Sequence, residues 1–139
     1  MAIGTADPTG RRYESAQVHY LRKRITFAIE NTEIEIGDLP AKASVIGGGV
    51  HVVTAFNDGS TDTLDVGFKD GSSTDDPNGY ATLLDISGVG FIALDELAAT
   101  TNVQQTRGCT VTCIYNGATN DATAGVADVI IQFVVDNDQ

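Results

Sequence analysis

The sequence predicts an all-β fold, a jelly roll or β-sandwich of about eight short antiparallel strands behind an extended N-terminal arm. Three observations carry this. Apolar residues recur at every second position in several short runs, which places them on one face of a strand. The runs are separated by Gly, Asn, Asp and Ser, and Gly (15) far outnumbers Pro (3), as tight turns require. The strand-like runs recur every 10–15 residues or so, and no longer period repeats, which argues against solenoids and propellers. The 139 residues suit one domain, with a core large enough to stand without staples.

Residues 1–20 lack a sustained hydrophobic period and read as the arm; residues 21–139 read as a single β domain. Leu21, Lys23, Ile25, Phe27 and Ile29 alternate with Arg22, Arg24, Thr26, Ala28 and Glu30, so this run predicts a half-buried strand. Glu33–Ile36 reads as a short strand broken by Gly37-Asp38-Leu39-Pro40. Ala43–Ile46 reads as another, closed by a flexible turn at Gly47-Gly48-Gly49. Val50–Phe56 is a strong strand, and Asn57-Asp58-Gly59-Ser60 is a turn in which Asp-Gly tolerates positive φ. Leu64, Val66 and Phe68 line the next strand. Residues 70–79 read as a long polar loop, followed by strands at Tyr80–Ile86 and Phe91–Leu94. Leu94–Ala99 suggests one helical turn, and Thr100–Gly108 a loop. Thr110–Tyr115 is a strand ended by Asn116-Gly117, and 117–125 is a small-residue loop. In Val126–Val135, Val129, Ile131, Phe133 and Val135 face inward while Asp128, Gln132 and the following Asp136 face out.

The formal net charge of −11 is unevenly spread. Residues 1–24 hold five basic residues against Asp7 and Glu14, a net of +3, whereas residues 25–139 hold three against 17 acidic ones, a net of −14. Such a body repels nucleic acid and anionic membranes. No apolar run approaches the ~20 residues that span a bilayer. Residues 1–20 contain no signal-peptide-like apolar stretch, so synthesis in a cytoplasm without export is expected. Cys109 and Cys113 stand four apart in a strand, about 13 Å along it. A disulfide needs Cα atoms within roughly 7 Å, so both are expected as free thiols.

Little in the sequence points to catalysis. His19 and His51 have no partner at metal spacing. The oxygen-rich stretch around Asp70, Asp75, Asp76 and Asn78 lacks EF-hand spacing and reads as a solvated turn. Gly47-Gly48-Gly49 lacks the strand–loop–helix setting of a phosphate cradle. No nucleophile elbow and no paired carboxylates in an apolar setting occur. The expectation is a protein that is not an enzyme, with no metal and no cofactor. Arginine and aromatic residues cluster near the N-terminus, a composition enriched at protein interfaces. The expected partner-contacting residues are Ile3, Arg11, Arg12, Tyr13, His19, Tyr20, Arg22, Lys23 and Arg24.

Residues 25–135 resemble the jelly-roll cement, or decoration, proteins of tailed bacteriophages. The resemblance lies in ITFAIENTEIEIGDLPAKASVIGGGVHVVTAFNDGSTDTLDVGF, DPNGYATLLDISGVGF and CTVTCIYNGATNDATAGVADVIIQFV, and in their order. These are patterns of turns and strand faces with no catalytic residue among them. The resemblance implies a homo-oligomer, a dimer or a trimer, on the outer surface of an icosahedral capsid. There it would bridge neighbouring major capsid proteins against the pressure of packaged DNA. The arm lies outside the resembling region; its role as a capsid clamp follows from charge and composition alone. A head fibre, a tail component and a carbohydrate-binding β-sandwich are the competing readings. The last is weakened by the absence of Trp and the scatter of the four Tyr. A metal cupin would need clustered His.

Overall fold

The computed structural model of the protein describes residues 17–59, 61–71, 75–98 and 108–135. Eight strands form two sheets: β1 (His19–Thr26), β2 (Glu33–Leu39), β3 (Ala43–Thr54), β4 (Asp62–Lys69), β5 (Asp76–Asp85), β6 (Gly90–Ala93), β7 (Cys109–Gly117) and β8 (Val126–Val135). The first sheet has the order β1-β8-β3-β6 and the second β2-β7-β4-β5. Every strand pair is antiparallel. This order, alternating between two four-stranded sheets, is that of a jelly roll.

The core lies between the sheets because alternate residues of both point inward. Val50, Val52, Val129 and Ile131 of the first sheet meet Leu64, Val66, Phe68 and Val111 of the second, all at most 1% exposed. Two aromatic pairs tie the ends: Phe56 edge-on to Tyr115 at 4.7 Å between ring centroids, and Phe68 against Tyr80 at 5.4 Å. Cys109 and Cys113 are both free and buried on β7. Burial raises their thiol pKa values to about 11 and about 12, so neither is a ready nucleophile.

Several element boundaries differ from the sequence pattern. β1 begins at His19 and ends at Thr26, and Phe27–Ile29 is a 3-10 turn capped by Thr26. Phe27 therefore does not continue the inward stripe. β2 runs through Gly37 to Leu39, absorbing the break as a bulge between Glu35 and Gly37. β3 is one strand of 12 residues, so Gly47-Gly48-Gly49 is not a turn. The three glycines lie in the sheet between β8 and β6, where Gly48 has φ +125°. β5 starts at Asp76, which shortens the expected 70–79 loop. Residues 94–98 make turns without a helix, and 99–107 lie outside the described residues.

On β8 the outward-facing Asp128 is covered by its neighbours. It faces away from the core, as its register requires, yet it is only 2% exposed. Arg22 and Arg24, its neighbours on β1, cover it.

Candidate interaction surface

The outer face of the first sheet gathers most of the residue types that the sequence singled out. The β1–β8 register puts Arg24 beside Asp128, Arg22 beside Ile130 and Tyr20 beside Gln132. Across β3, His51 lies opposite Asp128 and Gly49 opposite Ile130, and β6 adds Phe91 beside His51. Tyr20 is 67% exposed and Phe91 60%. The Phe91 ring lies over Gly49, where an added Cβ would approach its Cζ to 2.6 Å. The bare glycine backbone thus leaves room for the ring.

Arg22 donates through Nη2 to Asp128 Oδ2 at 2.8 Å; Arg24 donates through Nε to Oδ1 at 2.9 Å and through Nη2 to Oδ2 at 3.1 Å. One carboxylate therefore orients two guanidiniums, and both arginines stay more than half exposed. The Arg24 bond holds the Asp128 carboxyl at about 2 against the opposing effect of burial, with Arg22 adding to the lowering. A depressed folded-state pKa stabilises above the unfolded value near 3.9, and that stability is lost as pH falls through about 2. Asp128→Asn is expected to cost about 1–2 kcal/mol at pH 7, discounted because the arginines are solvated. Melting temperatures measured from pH 5 to pH 2 should show the gap between the two proteins closing on acidification; a constant gap refutes the ion-pair account.

The other expected contact residues are divided. His19 packs its ring on Phe133 at 5.5 Å. Lys23 stands on the inward side of the edge strand and donates to the Glu35 carbonyl at 2.9 Å, beside the β2 bulge. An inward lysine on an edge strand also discourages strand addition by another chain. Ile3, Arg11, Arg12 and Tyr13 lie outside the described residues. Three of the five N-terminal basic residues thus belong to β1, and residues 1–18 carry Arg11 and Arg12 against Asp7 and Glu14, a net charge of zero. The positive charge sits on the sheet rather than in the arm.

Sequence reasoning missed a second cluster, at the end of the sandwich where the β1–β2, β3–β4 and β7–β8 connections meet. Asp58 accepts from the Thr119 amide (2.6 Å), the Thr119 hydroxyl (2.7 Å) and the Asp121 amide (3.0 Å). Burial acts to raise the Asp58 carboxyl, but these bonds together hold it below the ordinary range. Burial, then the interaction with Asp58, raises the Glu30 carboxyl above its ordinary range. Asp62 accepts from the Asp58 amide at 2.8 Å and from the Tyr115 hydroxyl at 2.6 Å. The carboxyls are spent on tying loops. Asn57-Asp58-Gly59-Ser60 was legible as a turn; nothing local marks Asp58 as buried, because its partners are about 60 residues away.

Among the described residues, no group of three or more His, Cys, Asp and Glu side chains could hold a metal ion. Nor is any helix there long and apolar enough to cross a membrane. An open depression of about 550 Å³ lies between β2, β4 and β7, lined by Asp38, Lys69, Asp70, Asp75 and buried Cys109 among others.

The fold is matched by known structures. The chain is similar in fold to chains of phage capsids. One is from the capsid of Ralstonia phage GP4, with a TM-score of 0.65 and 20% identity, covering 89% of this chain and 88% of that one. Another is from the capsid asymmetric unit of cyanophage Pam1, with a TM-score of 0.61 and 17% identity over 88% and 87% of the two chains. A third is from the acid-stable capsid of Helicobacter pylori bacteriophage KHP30, with a TM-score of 0.59 and 20% identity over 85% and 89%. No protein-family model and no curated protein matches the sequence.

Proposed function

We propose that this protein is a non-enzymatic structural component of a phage virion, a cement protein on the outer surface of an icosahedral capsid. One observation carries the reading. The jelly roll matches chains of phage capsids over nearly the whole length of both partners, so the likeness is to entire chains of similar length rather than to a module within larger ones. A cement protein needs a rigid scaffold and surfaces that reach neighbours, and a two-sheet sandwich with a protected edge at Lys23 supplies the scaffold. It acts as a homo-oligomer, a dimer or a trimer, made in the host cytoplasm and placed on the virion. Its partner is the major capsid protein. Repetition of modest contacts around the shell supplies avidity without a strong single contact.

Contact with the shell is shared between the arm, through Ile3, Arg11, Arg12 and Tyr13, and β1, through Tyr20, Arg22 and Arg24. His19 and Lys23 position β1 from within. Since residues 1–18 carry no net charge, the arm is held by the apolar area of Ile3 and Tyr13 and by local pairing of its arginines, each about 1 kcal/mol or less where solvated.

The test is co-sedimentation of the full chain with capsids stripped of it, alongside a chain lacking residues 1–16, which leaves β1 whole. The full chain is expected to rebind and to raise the temperature at which the shell releases DNA. The truncated chain should keep its melting temperature and bind several-fold more weakly. A full chain that never sediments with stripped shells overturns the function; equal binding by both chains removes the arm from it.

A further inference from the structure

The two outer faces of the sandwich have opposite chemistry. On the second sheet, Glu33, Glu35, Asp38, Asp65 and Asp85 lie outward against Lys69 alone, a net of −4. On the first sheet, Arg22 and Arg24 outweigh Asp128, flanked by exposed Tyr20 and Phe91. Exposed Ile46 and Val53 of β3 add apolar surface at this sheet. Tyr, Phe and Arg with few carboxylates is the composition of an interface core, and a carboxylate-rich face is that of solvated surface.

The arginines are also prepared for a partner. Of five N–H donors each, Arg22 spends one and Arg24 two on Asp128, which leaves donors for bidentate bonds to further carboxylates. Asp128 has already fixed both side chains, so docking loses less of their rotamer freedom.

We propose that the outer face of the β1-β8-β3-β6 sheet is the surface that docks on the capsid shell, and that it meets an acidic protein surface whose carboxylates pair with Arg22 and Arg24. This rests on the cement reading above. A second copy of the chain is a poor occupant. Packing this face on itself would set the same arginines against each other. The acidic second sheet then faces solvent, which keeps decorated particles apart.

The experiment compares three full-length proteins on stripped capsids by co-sedimentation: wild type, Tyr20→Glu/Phe91→Glu and, on the opposite face, Glu35→Lys. The double variant changes only exposed side chains and leaves Asp128 paired. It is expected to bind roughly tenfold or more weakly, and Glu35→Lys to bind as wild type does. A second measurement holds even if the double variant folds poorly: a benzophenone side chain at position 20 should cross-link to the major capsid protein, and the same group at position 35 should not. Unchanged binding by the double variant, or cross-links from position 35 alone, overturns the face assignment. Failure of the wild type to bind stripped shells instead brings down the cement reading itself, so the two failures are distinct.

Discussion

Gly48→Ala is expected to lower the melting temperature by roughly 10 °C, whereas Gly88→Ala should leave it nearly unchanged. Gly48 lies inside β3 with φ +125°, a region that side chains rarely adopt. An added Cβ would stand 2.2 Å from the carbonyl oxygen of Ile130 and 3.1 Å from the Cα of Ile131. Both contacts are to backbone of the adjacent strand β8, so no rotamer change relieves them. The backbone strain costs about 1–3 kcal/mol and the forced strand displacement a similar amount, together about 3 kcal/mol or more. Gly88 has nothing within 4 Å of its would-be Cβ and no positive φ. Read as a flexible turn, Gly47-Gly48-Gly49 would tolerate alanine about as well as Gly88 does. Thermal melts of the two variants decide between the readings, and equal melting temperatures would remove Gly48 from the sheet.

Asp62→Ala should cost about 3 kcal/mol, with a smaller loss for Asp62→Asn. Asp62 is 5% exposed, and its Oδ1 accepts from the Asp58 amide and the Tyr115 hydroxyl. Tyr115 is fully buried. Truncating the carboxylate strands two buried donors, each worth about 1–3 kcal/mol of unpaired desolvation. Asparagine keeps an acceptor oxygen at the same place. Combining Asp62→Ala with Tyr115→Phe removes one stranded donor, so the double variant should recover about 1 kcal/mol relative to additivity. Denaturant titrations of the wild type, the three single variants Asp62→Ala, Asp62→Asn and Tyr115→Phe, and the double variant measure these effects. Strict additivity would mean that the hydroxyl–carboxylate bond contributes nothing.

Much of the fold is legible along the chain because strand alternation is local. Leu64, Val66 and Phe68, or Val129, Ile131 and Phe133, announce a buried face at every second residue, and all six are buried. Turn chemistry at Asn57-Asp58-Gly59 is equally local. The errors fall where a distant strand overrides local preference. Three consecutive glycines look like a turn until β8 and β6 are laid on either side, where the absent side chains let backbone and the Phe91 ring approach. Asp76-Pro77-Asn78-Gly79 looks like loop until pairing with β4 draws it into β5.

The candidate surface divides the same way. Arg22, Arg24 and Tyr20 stand out by composition, and their alternation on a strand assigns them to one side. Composition cannot say that Arg22 and Arg24 share one buried carboxylate 104 or more residues away, nor that Phe91 and His51 join them on one face. The sequence alone determined the class: two layers of alternating strands with a strongly acidic body. It did so because alternation and net charge are sums over neighbours in the chain. Only the tertiary structure decided the strand order, the burial of Asp58, Asp62 and Asp128, and the opposite character of the two outer faces. Each of those depends on which strands lie side by side, and long-range antiparallel pairing leaves no mark within any single strand.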